Sequence, residues 1–126
     1  MSSKKKVLVV DDSATVRQQV AQTLTGVGFE VLEAPDGQVG CDLIDRDSTI
    51  SMVICDVNMP RMNGIEMLLS VKSQPKNSAL PILMLTTDGQ PALIKKAKEA
   101  GARGWVVKPF NPAQLVAVVQ KLTGST

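Results

Sequence analysis

Residues 7–12 read VLVVDD, a run of four apolar side chains that stops at the carboxylates of Asp11 and Asp12. The same arrangement recurs at residues 52–56, MVICD, where four apolar side chains end at Asp56. Short apolar runs without polar alternation are typical of strands buried on both faces of a parallel sheet. In open α/β sheets, ligands bind in the crevice outside the carboxyl ends of the strands. These two stretches therefore predict both the fold class and the edge of the sheet where chemistry is expected.

The rest of the chain alternates between strand and helix patterns. Further apolar runs predict strands at residues 29–34, 81–86 and 105–107, besides those at 7–10 and 52–56. Helical spacing of apolar side chains predicts helices at residues 13–27, 38–46, 64–73, 91–100 and 112–122, with a polar loop at 74–80. Such alternation indicates a doubly wound parallel sheet with right-handed crossovers. We therefore predict an α/β fold, (βα)5, with five parallel strands in the flavodoxin-like order 2-1-3-4-5, which would bring Asp11, Asp12 and Asp56 together.

Length and composition exclude several classes of protein. A chain of 126 residues is expected to form a single domain, residues 1–126, without a linker or a second domain. A net charge of +2, with two Phe and one Trp, is too little for a nucleic-acid surface. No apolar stretch approaches a membrane span, which argues against membrane insertion, and the two cysteines form no CxxC motif. A cytoplasmic location is therefore expected.

The carboxylates at the strand ends predict a metal site. Asp11, Asp12 and Asp56 would repel one another strongly unless a cation lay between them, and a hard divalent cation prefers oxygen ligands. Thr86 and Lys108 end the fourth and fifth strands, where a hydroxyl and an ammonium group could contact an anion held near Asp56. A carboxylate can attack phosphorus to form an aspartyl phosphate. The other carboxylates, at Asp36 and within residues 42–47, fit solvated surface and turns.

Several motifs together resemble the signature of response-regulator receiver domains. They are DDS at 11–13, DVNMP at 56–60 with NG at 63–64, Thr86, and KPF at 108–110. The resemblance covers residues 6–123 in order, and it is closest to the stand-alone receivers of chemotaxis. It implies that Asp56 accepts a phosphoryl group from a CheA-like histidine kinase, which must be another protein because this chain contains no His. It also implies a cis peptide bond between Lys108 and Pro109.

The resemblance assigns the remaining site residues as well. Mg²⁺ is expected to bind Asp12 and Asp56 directly, Asp11 largely through water, and the backbone carbonyl of Asn58. Thr86 and Lys108 are expected to contact the phosphoryl oxygens. Asn58 and Asp88 would tune dephosphorylation.

The resemblance further implies a switch and a set of partners. Thr86 and Trp105 would move on phosphorylation and so change a protein-binding face on the fourth helix, fifth strand and fifth helix. The chain carries Trp105 where the family usually has Tyr or Phe, and an alternative is that this side chain merely packs against the end of the strand. The implied partners are the kinase, a flagellar-motor switch protein or another target, and a phosphatase. A monomer without an effector domain is expected.

Three alternative functions are open at this point. A phosphate sink, or a regulator of another motility pathway or phosphorelay, would use the same chemistry with a different output. A haloacid-dehalogenase-like phosphatase also uses an Asp nucleophile and Mg²⁺, but it usually has a second Asp where this chain has Asn58. A flavin-binding module would need a Ser/Thr/Gly-rich phosphate loop, whereas Asp11 and Asp12 would repel the phosphate.

Overall fold

A computed structural model describes residues 4–59 and 62–124 of the chain, in which strands and helices alternate. The strands are β1 (Lys6–Val10), β2 (Glu30–Ala34), β3 (Ile50–Cys55), β4 (Ile82–Thr86) and β5 (Gly104–Val107). The helices are α1 (Ala14–Thr25), α2 (Gly37–Arg46), α3 (Gly64–Lys72), α4 (Pro91–Glu99) and α5 (Pro112–Thr123). None of the helices within the described ranges is both long and apolar enough to cross a membrane.

The five strands form one parallel sheet in the order β2-β1-β3-β4-β5, which confirms the predicted fold. β1 and β3 are direct neighbours, and Val10 pairs with Cys55 at their carboxyl ends. The backbone ladder continues one residue further, because the N–H of Asp56 donates to the carbonyl of Val10 at 3.0 Å. The sheet order therefore sets Asp11 and Asp56 next to each other.

Both faces of the sheet are covered, so the core has two layers. Along β1, Leu8 and Val10 belong to the layer under α2, α3 and α4, while Val7 and Val9 belong to the layer under α1 and α5. All five residues of β4 are buried. Each fully buried side chain of this size contributes about 1.5–3 kcal/mol relative to an exposed one. Burial on both faces is the physical reason that these strands show no polar alternation.

The helix ends carry residues that commonly begin or end helices. Asn111 caps α5 by accepting a hydrogen bond from the N–H of Gln114, and Pro91 occupies the first turn of α4. Gly101 follows α4 with φ +111°, a left-handed conformation that side chains rarely adopt. At α3, Asn63 and Glu66 exchange side-chain and backbone hydrogen bonds in a capping box.

Some sequence-based boundaries were wrong. α1 ends at Thr25 rather than at residue 27, and Val27 is 47% exposed instead of lying on the inward face. β3 begins two residues earlier than predicted because Ile50 pairs with Lys6, and Asp56 lies just beyond the strand. The loop at 74–80 contains a single 3₁₀ turn, Pro75–Asn77.

Asp36 and Asp47 have structural roles that the sequence did not reveal. Asp36 is buried, and its carboxylate caps α2 by accepting a hydrogen bond from the N–H of Val39 at 2.9 Å. Asp47 forms an ion pair with Lys6, with 2.8 Å between Nζ and Oδ2. The bond from Lys6, together with those from Thr49, lowers the pKa of Asp47 to about 2.

Lys72, at the end of α3, holds the connection to β4 in place. Its ammonium donates to the carbonyls of Asn77, Ser78 and Leu80, at 3.1, 3.3 and 2.5 Å. Partial burial, with a smaller effect of Arg103, lowers the pKa of Lys72. These contacts lie near the amino end of β4, at the opposite edge of the sheet from the carboxylates.

The low pKa of Asp47 makes its contribution to stability depend on pH. A carboxylate with a depressed folded-state pKa stabilises the fold above its unfolded value of 3.8, and this stability is lost as pH falls through about 2. Asp47→Asn keeps an acceptor for the Thr49 N–H but removes the charge. We expect the urea midpoint of the wild type to exceed that of Asp47→Asn near neutral pH, with the difference shrinking between about pH 4 and about pH 2. In a Lys6→Met background the difference should be much smaller, and an equal difference there would contradict this assignment.

Candidate functional site

The predicted site residues lie together at the carboxyl edge of the sheet. Asp11 and Asp12 follow β1, Asp56 follows β3, Thr86 ends β4 and Lys108 follows β5. Each of the three carboxylates offers one oxygen atom, and these atoms lie within 4.8 Å of one another. Residues far apart in sequence are therefore neighbours because four adjacent strands end at the same edge.

Lys108 connects the two buried carboxylates. Its Nζ donates to Asp11 Oδ2 at 2.7 Å and to Asp56 Oδ2 at 3.1 Å. The backbone N–H of Lys108 donates to the carbonyl of Thr86 at 2.8 Å, and the Lys108–Pro109 peptide bond is cis, as predicted. The ammonium group of Lys108 therefore bonds to two carboxylates, although Lys108 follows β5, which neighbours neither β1 nor β3.

The charges at this edge do not balance. Burial raises the pKa of Asp11, against the opposing effects of its bonds from Lys108 and the Ser13 N–H. For Lys108, burial pulls the pKa down, but the bonds to Asp11 and Asp56 outweigh it, and the net pKa is raised. The Asp12 side chain is exposed, and no hydrogen bond to its carboxylate occurs among the described residues. A single ammonium beside three carboxylates leaves an excess of negative charge, and an all-oxygen donor set of this kind fits Mg²⁺.

Asp56 follows β3 directly and lies against the first residue of α3, Gly64. Its Oδ1 accepts a hydrogen bond from the Asn58 N–H at 3.3 Å, and the residue is buried. A Cβ atom at Gly64 would overlap the backbone carbonyl of Asp56, so this close approach requires glycine at that position. Pro60, part of the DVNMP motif, lies outside the described residues.

Thr86, Asp88 and Trp105 form a short chain of hydrogen bonds beside the carboxylates. The N–H of Asp88 donates to Thr86 Oγ1 at 3.4 Å, and the indole Nε1 of Trp105 donates to the carbonyl of Asp88 at 2.9 Å. Thr86 is completely buried, while Trp105 is partly buried against the layer under α2, α3 and α4. The link between the predicted switch residues thus runs through the backbone of the β4–α4 loop.

Asn58 and Asp88 also face a common groove. The groove has a volume of about 400 Å³, lies between the amino-terminal parts of α3 and α4, and is lined in part by Val57, Asn63 and Gln90. Both residues predicted to tune dephosphorylation therefore border open space near Asp56.

Sequence reasoning missed Arg17, which contacts the backbone of the site. Its Nη1 donates to the carbonyl of Asp11 at 2.6 Å, and its Nε donates to Glu33 Oε1 at 3.2 Å. The available signal was the position of Arg17 in the first turns of α1, four residues after the cap at Ser13.

Comparisons with known proteins agree with this geometry. A family model described as the response regulator receiver domain matches residues 7–120. The chain is 40% identical to the chemotaxis protein CheY homolog of Campylobacter jejuni over 95% of this chain and 93% of the relative. It is 38% identical to the chemotaxis protein CheY1 of Helicobacter pylori, covering 95% and 98%. The structure of chemotaxis protein CheY4 of Vibrio cholerae superimposes with a TM-score of 0.90 at 42% identity, covering 95% of this chain and 99% of that one. The resemblance that the sequence motifs indicated is confirmed.

The close approach between Gly64 and Asp56 can be tested by substitution. Gly→Ala at a compatible site usually stabilises a protein by about 0.4–1 kcal/mol. Here we expect Gly64→Ala to destabilise by about 1–3 kcal/mol, because the new Cβ forces the backbone at Asp56 to shift. Gly89→Ala is the matched control, since a Cβ there would meet only Val107 Cγ2 at 3.6 Å. Urea denaturation of both variants measures the effect, and equal stabilities would contradict the close approach.

Proposed function

Because the chain belongs to the response-regulator receiver family, we propose that it accepts a phosphoryl group on Asp56 from a partner histidine kinase. The family is one of signalling domains rather than a classical enzyme family. The observation that carries the proposal is the Lys108 ammonium, which lies 2.7 Å from Asp11 and 3.1 Å from Asp56 at the carboxyl edge of the sheet. An acceptor carboxylate and a cation for the incoming phosphoryl group are thereby in contact.

In the proposed reaction, a carboxylate oxygen of Asp56 attacks the phosphorus of the phosphohistidine. The new O–P bond forms as the P–N bond breaks, and the electron pair of that bond stays with the departing imidazole. Lys108, already in contact with Asp56, turns to the phosphoryl oxygens, and the Thr86 hydroxyl donates to them as well. Asp11, Asp12 and Asp56 would hold Mg²⁺, with the Asn58 carbonyl as a further ligand. When bound, the ion offsets negative charge on the transferring group.

The proposed switch follows from the chain of hydrogen bonds at Thr86. A phosphoryl group on Asp56 would add negative charge and acceptor oxygens near the Thr86 hydroxyl, and this hydroxyl would turn toward those oxygens. Since Thr86 also accepts from Asp88, and Asp88 accepts from Trp105, this movement alters the β4–α4 loop and the indole together.

The output of this switch is proposed to be a protein contact on α4, β5 and α5. Val107, 47% exposed on β5, belongs to this face. Converting a mixture from 1:99 to 99:1 requires roughly 5.5 kcal/mol, whereas a charge-assisted hydrogen bond contributes about 1.5–3 kcal/mol. One such contact falls short of this requirement, and two meet it only at the upper end of their range, so preferential binding of the target to the active form would supply the remainder.

The proposed target is the flagellar-motor switch, because the named relatives are chemotaxis proteins. In this proposal the chain acts as a cytoplasmic, monomeric receiver domain, with a CheA-like kinase as donor. A phosphate sink, or a regulator of another motility pathway, would keep the same site and differ only in its target. A haloacid-dehalogenase-like phosphatase is disfavoured because Asn58 replaces the second Asp, and a flavin site because Asp11 and Asp12 repel phosphate.

The lifetime of the phosphoryl group is proposed to depend on Asn58 and Asp88. Both line the groove between α3 and α4, from which water would approach Asp56. A phosphatase acting on this protein would reach the aspartyl phosphate from the same side.

The acceptor role can be tested by labelling with acetyl phosphate in the presence of Mg²⁺. We expect Asp56→Asn to abolish the base-labile label, because an amide cannot form the acyl phosphate. Asp12→Ala should weaken Mg²⁺ binding strongly, since it removes a carboxylate ligand. Lys108→Ala should leave Mg²⁺ binding largely intact while impairing the response to phosphorylation.

Two results would contradict these assignments. Full labelling of Asp56→Asn at another residue would show that the acceptor is misassigned. An equal loss of Mg²⁺ affinity in Asp12→Ala and Lys108→Ala would show that the roles of ligand and counter-charge are not separate.

The switch role of Trp105 can be tested by fluorescence, because it is the only Trp and the chain has no Tyr. We expect the emission of the wild type to change on phosphorylation, since the bond from the indole to Asp88 is altered, and iodide quenching to decrease. Asp56→Asn under the same conditions is the control and should show neither change. An emission and quenching profile that is identical before and after phosphorylation would leave Trp105 with a packing role only.

A further inference from the structure

The β1–α1 loop carries two of the three clustered carboxylates, and its backbone is held from several sides. The N–H of Asp11 donates to the carbonyl of Ala34 at the end of β2, at 3.1 Å. Asp11 Oδ1 accepts from the N–H of Ser13 at 2.9 Å. The carbonyl of Asp11 accepts from Arg17 at 2.6 Å, the shortest of these bonds. This last contact is made by a charged side chain from the helix that follows the loop.

The three carboxylates differ in how they are oriented. Asp11 accepts hydrogen bonds from Ser13 and Lys108, and Asp56 accepts them from Asn58 and Lys108. For Asp12, in contrast, no hydrogen bond to the carboxylate occurs within residues 4–59 and 62–124. The direction of the Asp12 side chain therefore depends on its own backbone.

We propose that Arg17 is a positioning residue for the divalent-cation site, and that it acts on Asp12 through the peptide unit between Asp11 and Asp12. The peptide bond is planar, so fixing the Asp11 carbonyl also fixes the orientation of the Asp12 N–H and Cα in the same plane. The position of the Asp12 Cα is thereby held, and only rotations within Asp12 itself remain to place its carboxylate oxygen, which lies within 4.8 Å of oxygens of Asp11 and Asp56. This inference rests on the proposed binding of Mg²⁺ by the three carboxylates.

Arg17 suits this role because it is itself anchored. Its Nε donates to Glu33 Oε1 at 3.2 Å, and only 17% of its side chain is exposed. Glu33 lies on β2 and pairs with Val9 of β1, so the anchor belongs to the same rigid sheet that carries the loop. The guanidinium group presents several N–H donors in a fixed plane, which lets it hold two acceptors at a defined distance.

The charge of Arg17 and its positioning effect act on cation binding in opposite directions. A positive charge beside the loop disfavours a second cation nearby, although the ion pair with Glu33 offsets it in part. If charge alone mattered, removing Arg17 would strengthen Mg²⁺ binding. If Arg17 positions the loop, removing it weakens Mg²⁺ binding. The sign of the change therefore distinguishes the two effects.

The test is a calorimetric titration of Mg²⁺ into the intact chain, without any phosphodonor. Residues that orient metal ligands typically contribute 10–100-fold to affinity, so we expect the Kd of Arg17→Met to rise by roughly tenfold. Arg17→Lys keeps the charge but loses the planar fork, and its Kd should lie between those of the wild type and Arg17→Met. Lys72→Met is the matched control. Like Arg17, Lys72 donates hydrogen bonds from a charged side chain to backbone carbonyls, but it does so at the opposite edge of the sheet. This substitution should lower Tm without changing the Kd for Mg²⁺.

The outcomes separate this inference from the proposed function. An unchanged or lower Kd in Arg17→Met overturns the positioning role, as does an equal rise in Kd in Lys72→Met. If Arg17→Met does not fold, Arg17→Lys decides, and a Kd equal to that of the wild type overturns the role. If the wild-type chain binds no Mg²⁺, the proposed function itself is overturned. If the wild type binds Mg²⁺ and is labelled, but Arg17→Met leaves the Kd for Mg²⁺ unchanged, only the positioning role of Arg17 is overturned.

Discussion

The organisation of this molecule depends on an unbalanced charge at one edge of its sheet. One carboxylate oxygen from each of Asp11, Asp12 and Asp56 lies within 4.8 Å of the others. The Lys108 ammonium contacts the carboxylates of Asp11 and Asp56. Burial raises the pKa of Asp11, because removal from water disfavours the charged carboxylate. The fold tolerates this arrangement because strands buried on both faces hold the backbone rigidly on either side. In the proposed function, this excess of negative charge would attract a divalent cation, and the charge balance would change when a phosphoryl group is added.

The loops that carry these groups are short and held by backbone contacts. The β1–α1 loop is tied to β2 through Ala34 and to α1 through Arg17. Gly64, the first residue of α3, lies against Asp56, and a side chain at this position would strike the carbonyl of Asp56. Such contacts position reactive groups more accurately than the reactive side chains could do by themselves. In this chain the proposed site is therefore held in place by residues that take no direct part in the proposed chemistry.

In this chain, hydrogen bonds through the β4–α4 loop connect the buried Thr86 with the indole of Trp105. Trp105 is bonded to the backbone of Asp88, and Asp88 is bonded to the hydroxyl of Thr86. An indole has a single N–H donor, so its hydrogen bond to one carbonyl defines one orientation. The β4–α4 loop is consequently a direct link between the buried threonine and the partly exposed face of β5. The groove beside Asn58 and Asp88 borders the same loop, since Asp88 and Gln90 line it.

Local periodicity and the chemistry of single residues were enough to predict part of this structure. Apolar runs predicted the strands, and the carboxylates after two of these runs predicted which edge of the sheet holds the acidic cluster. Residue types typical of helix ends also occur at Pro91, Gly101 and Asn111. These features could be predicted because burial on both faces and helix capping leave their mark within a few residues. The motifs around Asp56 and Lys108 were also sufficient to indicate the family.

The contacts between polar side chains that are distant in sequence depend on the tertiary structure. Lys108 and Asp11 are 97 residues apart, and their contact depends on sheet order and register rather than on any local pattern. The ion pair of Lys6 with Asp47 and the anchoring of Arg17 on Glu33 were not predicted for the same reason. The cap formed by Asp36 is different, because its partner Val39 is only three residues away and the signal is local. A polar side chain looks the same in sequence whether it faces water or a partner brought close by folding, and only packing selects between them.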